Sequence, residues 1–204
     1  YTFIGPKSKH IAIMGNKIRA RQIMEQNNVP TVSGLYDVNN IEAIKKFINE
    51  KKLPIIIKPA SGGGGKGIKI VHQIEELEHL INAAKIESKK LFNDDTIYIE
   101  KFINNPKHLE IQILADQYGN VITLGERDCS IQRNHQKLIE ECPSSVLSKK
   151  QRNEISELCK KAVKSINYLG VGTLEFLFEN NNFYFMEMNT RLQVEHPVTE
   201  LVTG

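Results

Sequence analysis

The chain has 204 residues, of which 40% are hydrophobic, 25% charged and 7% aromatic, and it reads as an ordinary globular protein with material for one large core or two small lobes. Its formal charge is only +3, and its 27 basic residues are spread along the chain, so nucleic-acid binding is not indicated. No apolar run approaches the roughly 20 residues of a membrane span, and no charged-then-apolar leader opens the chain. Cys129, Cys142 and Cys159 are too few and too irregularly spaced for a metal knuckle or a disulfide framework, and they suggest a reducing compartment.

Taken in order, Tyr1 to Pro6 reads as the end of a strand. Met14 to Asn28 has helix formers and stops at an Asn-Asn pair, after which Val29-Pro30 leads into an extended stretch. Ile41, Ile44, Phe47 and Ile48 mark the apolar stripe of a second helix closing before Leu53-Pro54. A strand at Ile55 to Lys58, a glycine loop, a strand at Gly67 to Val71, a helix from Ile74 to Leu91 and a strand at Thr96 to Phe102 make one α+β lobe.

The glycine loop, Ser61-Gly62-Gly63-Gly64-Gly65-Lys66-Gly67, has the G-x-G-x-x-G spacing without the helix that a dinucleotide fingerprint requires next. It is not a Walker loop either, because Gly67 stands where Ser or Thr should follow the lysine. A glycine hairpin between strands can instead close its backbone N–H groups over polyphosphate oxygens. Lys58, at the end of the preceding strand, is a natural phosphate partner, and Lys17 offers a second cation, although a lone helix lysine is by default solvated. Glu100-Lys101-Phe102-Ile103 could form a hinge whose backbone meets a nucleobase.

From Leu109 the pattern becomes a β-hairpin with alternating faces, LEIQILAD and VITLGERD about the turn at Gln117 to Asn120, and Lys137 to Cys142 is a candidate further strand. Ile155, Leu158, Cys159, Ala162, Val163 and Ile166 give the clearest amphipathic helix. Two strand-type runs, Thr173 to Phe178 and Phe183 to Met188, then flank an Asn-rich turn. A hairpin about Asn181 sets Glu175 across from Glu187. Two like charges so placed are costly unless a cation sits between them, and Mg2+ suits such a pair. Beyond Glu187 the odd positions Asn189, Arg191, Gln193 and Glu195 continue a polar row, with Met186, Met188, Leu192 and Val194 alternating as the packed face. Leu201 to Gly204 reads as the beginning of another helix, and the chain is expected to be a fragment of a longer protein.

In their order, GGGGKG, EKFINNPKHLEIQ, ERDCSIQRNHQK, GTLEF and FMEMNTRLQVEHPVTE resemble the biotin carboxylases of the ATP-grasp superfamily, and the likeness runs from Ile4 to Gly204. The resemblance implies an α+β ATP-grasp fold: a helical opening segment over 1–29, a lid with the glycine-rich loop over 30–102, and a catalytic subdomain with a mostly antiparallel sheet over 103–204. It implies ATP bound with Mg2+ or Mn2+ on Glu175, Glu187 and Asn189. Lys17 and Lys58 would meet phosphates, Gly64 and Gly65 would lie in the closing loop, and Glu100, Lys101, Phe102 and Ile103 would hold the adenine. His108 would reach the ribose, Gln132 and His135 would line the nucleotide site, and Leu177 and Met186 would flank the base. Bicarbonate would be held by Lys137, Arg191, Gln193, the backbone of Val194, and Glu195.

By the same resemblance Glu195 would act as general base on bicarbonate, and carboxyphosphate would carry the carboxyl group to biotin on a carrier domain or protein, with Arg191 steadying the biotin enolate. A carboxyltransferase component and a homodimer of the full-length protein are implied, in a bacterial cytoplasm or a mitochondrial matrix. The family has further segments before Tyr1 and after Gly204, the latter supplying another arginine, so the 204-residue piece is expected to turn over little or not at all. Asn16 stands where the family commonly has Asp, and Cys142 where Ala is usual. Rival readings are another ATP-grasp carboxylate ligase, such as a carbamoyl-phosphate synthetase half, and a non-catalytic nucleotide-binding module. A protein kinase is excluded by the absence of H-R-D and D-F-G motifs.

Overall fold

A computed structural model describes residues 3–62 and 64–204; the reading of Tyr1-Thr2 as strand, and Gly63 within the glycine loop, lie outside them. The chain opens with α1 (Ser8–Met14) and α2 (Lys17–Gln26). The helix expected over 14–28 is α2, which starts three residues later, and a separate helix, α1, precedes it. Gly15 caps α1 through Ile11, and Asn16 restarts the chain as the N-cap of α2, accepting from the Arg19 N–H at 3.0 Å. Asparagine at position 16 serves this capping role as aspartate would.

Residues 32–104 form one compact unit. It contains β1 (Gly34–Leu35), α3 (Ile41–Lys51), β2 (Ile55–Pro59), β3 (Lys69–Val71), α4 (Leu77–Phe92) and β4 (Ile97–Lys101), with the sheet ordered β1-β4-β2-β3 and wholly antiparallel. The Asn40 side chain caps α3 on the Glu42 and Ala43 N–H groups, and Asn93, at φ 56°, ends α4 in the left-handed conformation. Ile55 and Ile57 alternate inward along β2 and pack with Ile44, Phe47, Ile81 and Ile99 in a closed apolar core.

The other unit joins residues 1–31 to 105–204. Its five-stranded antiparallel sheet has the order β7-β6-β5-β8-β9, from β5 (Lys107–Ala115), β6 (Val121–Arg133), β7 (Gln136–Glu141), β8 (Gly170–Glu179) and β9 (Asn182–Asn189). Helix α5 (Lys149–Ser165) begins on a Ser148–Gln151 capping box, and α6 (His196–Thr203) closes the chain. Leu201 to Thr203 lie in this helix, which starts five residues before Leu201, at His196. Leu109, Ile111 and Ile113 of β5 point to the apolar side with Leu174, Phe176, Phe185 and Met188; Ile111, Ile113 and the β8–β9 residues pack there against Met24, Ile155 and Cys159. The opposite face of the same strands carries His108, Glu110, Gln112, Thr173 and Glu175. Among the described residues, no helix is long and apolar enough to cross a membrane.

Two β-bulges decide which side chains reach that polar face. The β8–β9 turn has only two residues, Asn180 and Asn181 at φ 50° and 63°, one fewer than a hairpin centred on Asn181 has. Continued without interruption, that register would put Met186 opposite Glu175 and turn Glu187 into the core. A bulge at Met186 takes up the extra residue, and Glu175 does face Glu187. On β6, the register shifts between the partners of Ile111 and Ile113, with Gly125 at φ +79° in the extra stretch. The shift sets Arg127 opposite Glu110 on the polar face and sends Glu126 to the helix side, where Arg152 of α5 pairs with it at 2.7 Å.

Candidate active site

On the polar face of the five-stranded sheet, Arg127, Glu110, Glu175 and Glu187 stand side by side, one from each of β6, β5, β8 and β9. Arg127 and Glu110 are fully buried, and Glu175 is nearly so. Three ammonium or guanidinium groups serve this row. The Lys137 ammonium donates to Glu110, to Glu175 at 3.0 Å and to Glu195 at 2.7 Å, and Lys17 at the start of α2 pairs with Glu187. Arg127 donates to Glu110, to Gln112 at 2.8 Å, to Thr199 at 2.7 Å and to Gln193 at 3.1 Å.

The polar groups around Glu175 define its state. His108 Nε2 lies 2.8 Å from Glu175 Oε2, and the Asn189 and Gln193 amides donate to Oε1 at 2.7 and 3.1 Å. Gln132 Nε2 is fixed as a donor by the Cys129 carbonyl at 2.7 Å and also meets His108 Nδ1 at 2.7 Å, so Nδ1 accepts and Nε2 carries the proton to Glu175. Burial alone would raise the Glu175 pKa, but His108 and Lys137 together bring it down to about 2. Burial would likewise discharge Lys137, yet the Glu175 and Glu110 carboxylates outweigh it and hold the ammonium well above the ordinary lysine range. For Glu195, burial acts upward, and the hydrogen bond from Lys137, a backbone hydrogen bond and the charges of Lys137 and Arg127 together bring the carboxyl below its ordinary value. The Cys129 thiol is pushed up by burial and by Glu110, which leaves it protonated and a poor nucleophile.

Of the residues expected in the site, His108, Gln132, Lys137, Glu175, Asn189, Gln193 and Glu195 are therefore in one hydrogen-bonded network, and Lys17 and Glu187 form an ion pair beside it, at the strand position opposite Glu175. The strict polar row beyond Glu187 is not a strand: β9 ends at Asn189, and the loop that follows turns Gln193 and Glu195 back to the sheet. Leu192 and Val194, expected on the packed face, are 56% and 93% exposed. Arg191 is exposed as well, with Nη1 on the Leu192 carbonyl at 3.1 Å. His135 lies exposed in the turn between β6 and β7 at φ 64°, and Leu177 and Met186 are half-buried on β8 and β9. The row's own neighbours Glu110, Gln112, Arg127 and Thr199 were missed. For Glu110 and Gln112 the signal was present, since LEIQ alternates apolar and polar residues. For Arg127 it was not, because the Gly125 bulge reverses the faces that simple alternation predicts.

In the unit formed by residues 32–104, Lys58 pairs with the buried Glu100 at 2.6 Å across the ladder. Lys101 spends its ammonium on the carbonyls of Lys52, Leu53 and Pro54, and its N–H on Ser33. The Phe102 N–H goes to Pro54 at 3.3 Å, and Ile103 is half-buried just after β4. Gly64 and Gly65 take φ +67° and +72°, a left-handed backbone suited to glycine.

A divalent cation fits the donor set of the first site. Glu175 and Glu187 are paired across adjacent strands, and their carboxylates, with the Oδ1 of Asn189, whose Nδ2 donates to Glu175, are oxygen donors of the kind that Mg2+ and Mn2+ favour.

The family model of the carbamoyl-phosphate synthase L chain ATP-binding domain matches residues 16–204. The chain is 48% identical to a biotin carboxylase of Allochromatium vinosum over its whole length and covers 46% of that relative. A solved biotin carboxylase from Campylobacter jejuni, described as a β,γ-ATP complex, superposes with a TM-score of 0.92 at 47% identity, over 98% of this chain and 45% of that one. The biotin carboxylase domain dimer of Hydrogenobacter thermophilus 2-oxoglutarate carboxylase, described with MgADP, ADP and bicarbonate, does so at 0.93 and 48% identity, over 98% and 45%. The chain thus spans about half the length of the relatives that it matches.

Proposed function

Since the chain belongs to the family of the carbamoyl-phosphate synthase L chain ATP-binding domain, we propose that it is the ATP- and bicarbonate-handling part of a biotin carboxylase, an ATP-grasp ligase that carboxylates biotin through carboxyphosphate. The observation that carries this reading is the row Arg127–Glu110–Glu175–Glu187 across four strands, with the Lys137 ammonium bridging Glu110, Glu175 and Glu195. Glu175, Glu187 and Asn189 would hold Mg2+ or Mn2+, which when bound neutralises phosphate oxygens. In the discontinuous unit, Lys17 would contribute charge to the phosphates and His108, Gln132, His135, Leu177 and Met186 nucleoside contacts; in residues 32–104, Lys58 and the Gly64 and Gly65 N–H groups would serve phosphates and residues 100–103 the base.

Bicarbonate is a poor nucleophile, and Glu195, whose carboxyl is lowered with the help of Lys137, would take its proton. The Lys137 ammonium and the Gln193 amide offer donors to the oxyanion, and a bicarbonate oxygen attacks the γ-phosphorus to give carboxyphosphate and ADP. Carboxyphosphate splits to CO2 and phosphate. The phosphate accepts the ureido proton of biotin, and the biotin nitrogen attacks CO2. Arg191, exposed on the loop after β9, would steady the enolate of an incoming biotin. Biotin would arrive on a carrier domain or protein and leave for a carboxyltransferase, and the full-length protein would be a homodimer in a bacterial cytoplasm or a mitochondrial matrix.

The test is ATP cleavage by the full-length protein with and without bicarbonate and free biotin. Cleavage should require bicarbonate, rise with biotin, and fall by about 100-fold or more in Glu187→Gln and Arg191→Ala. Cleavage that ignores biotin and survives both substitutions overturns the reading.

A further inference from the structure

We infer that Arg127 is a positioning residue for the anion end of this site, acting through Gln193 and Glu110; the inference rests on bicarbonate being the substrate. The guanidinium is fully buried, and its acceptors come from three separate places: Glu110 and Gln112 on β5, Gln193 in the loop after β9, and Thr199 on α6. One rigid planar group therefore sets their mutual positions.

Two consequences follow for an anion held by Lys137 and Gln193. A glutamine amide has two ends of nearly equal shape, one a donor and one an acceptor. With Arg127 Nη2 on Gln193 Oε1 at 3.1 Å, the Nε2 end is the one turned to Glu175, also at 3.1 Å, so the site is presented with a donor. Glu110, meanwhile, is divided between two cations, one oxygen on Arg127 and the other on Lys137. Half its charge is thereby met by its neighbour on β6, and Lys137 stays shared with Glu175 at 3.0 Å and Glu195 at 2.7 Å. Without the guanidinium the amide is released to turn its oxygen towards the anion, and the ammonium is drawn to Glu110. Both changes weaken bicarbonate, whereas the nucleotide contacts assigned to Lys58 and residues 100–103 involve none of these bonds.

The experiment measures steady-state kinetics of the full-length protein with bicarbonate and ATP varied separately. In Arg127→Met the KM for bicarbonate should rise about tenfold or more, as expected for lost charge-assisted hydrogen bonds, while the KM for ATP stays within about twofold. Arg127→Lys should not rescue, because one ammonium cannot span acceptors on three elements. Should Arg127→Met fail to fold, Thr199→Val decides: it keeps every charge, removes one acceptor of the guanidinium, and should raise the bicarbonate KM in the same direction by less. Combined with Gln193→Ala, either variant should add less than its separate effect. Equal rises in both KM values, full additivity with Gln193→Ala, or a folded Thr199→Val with unchanged bicarbonate KM overturns the inference. ATP cleavage independent of bicarbonate in the unsubstituted protein would instead overturn the parent reading.

Discussion

Glu175 is surrounded by donors from four different elements, and its charge is a large local contribution to the fold. A carboxylate depressed from 4.5 to about 2 stabilises the folded chain above its ordinary pKa, and that stabilisation is lost as pH falls through the folded value. The raised Lys137 works in the opposite sense: its contribution is present below the ordinary lysine pKa and is lost only in strong alkali. The melting temperature should therefore hold at neutral pH and fall on the acid side. The difference between the native chain and Glu175→Gln should shrink as pH drops from about 5 to about 2, read by circular dichroism. A gap that stays constant over that window would show the ionised carboxylate to be unimportant. Residue identity alone revealed half of this arrangement. Glu175 and Glu187 were legible because an Asn-rich turn lies between two strand-type runs. Lys17 was legible as a second cation but not as the partner of Glu187, which lies 170 residues away, a separation that no local pattern reports.

At the scale of elements, alternation and capping signals locate most strands and helices but not α1 or the loop after β9, and within the strands what escapes them is the insertion of single residues. The Met186 bulge compensates for a turn one residue shorter than the one assumed, so the facing of Glu175 and Glu187 was right although the turn was not. The Gly125 bulge has no such fortune, and with it Arg127 and Glu126 exchange the faces that alternation assigns. Straightening that bulge would bury Arg127 in the helix layer and expel Glu126 from Arg152, a cost far above any strain in one residue. Substitution at Gly125 should accordingly leave the register intact and cost only its left-handed backbone, φ +79°, since no atom lies within 4 Å of an added Cβ. Gly125→Ala should lose about 1–2 kcal/mol in denaturant unfolding, and Gly125→Asn less, because Asn tolerates that region. A loss of about 4 kcal/mol or more would mean that the bulge itself had been displaced.

For the whole molecule, the order of residues along the chain conceals which segments fold together. Helices α1 and α2 precede the unit of residues 32–104 in sequence, yet they pack with residues 105–204. The carboxylates proposed for the metal, their neighbour Asn189 and the lysine on Glu187 all belong to that discontinuous unit. Residues 32–104, by contrast, close their own apolar core and satisfy Lys58 with their own Glu100. Metal and nucleotide binding should therefore be separable by excision. Thr31 is bridged to Phe185 on β9, and the Asn105 N–H bonds to Glu179 at the end of β8, so both junctions are anchored on the same hairpin. Replacing 32–104 by about eight Gly/Ser residues, which reach roughly 25 Å when extended, gives a chain in which Mn2+ binding should survive within about threefold while ATP affinity falls by about tenfold or more, both read by titration calorimetry. In that excised chain Lys17→Met should tighten Mn2+ binding measured without nucleotide, because the ammonium on Glu187 competes with the metal for the same carboxylate. A weaker metal affinity in Lys17→Met, or loss of Mn2+ binding from a folded excised chain, would place the cation elsewhere than on Glu175 and Glu187.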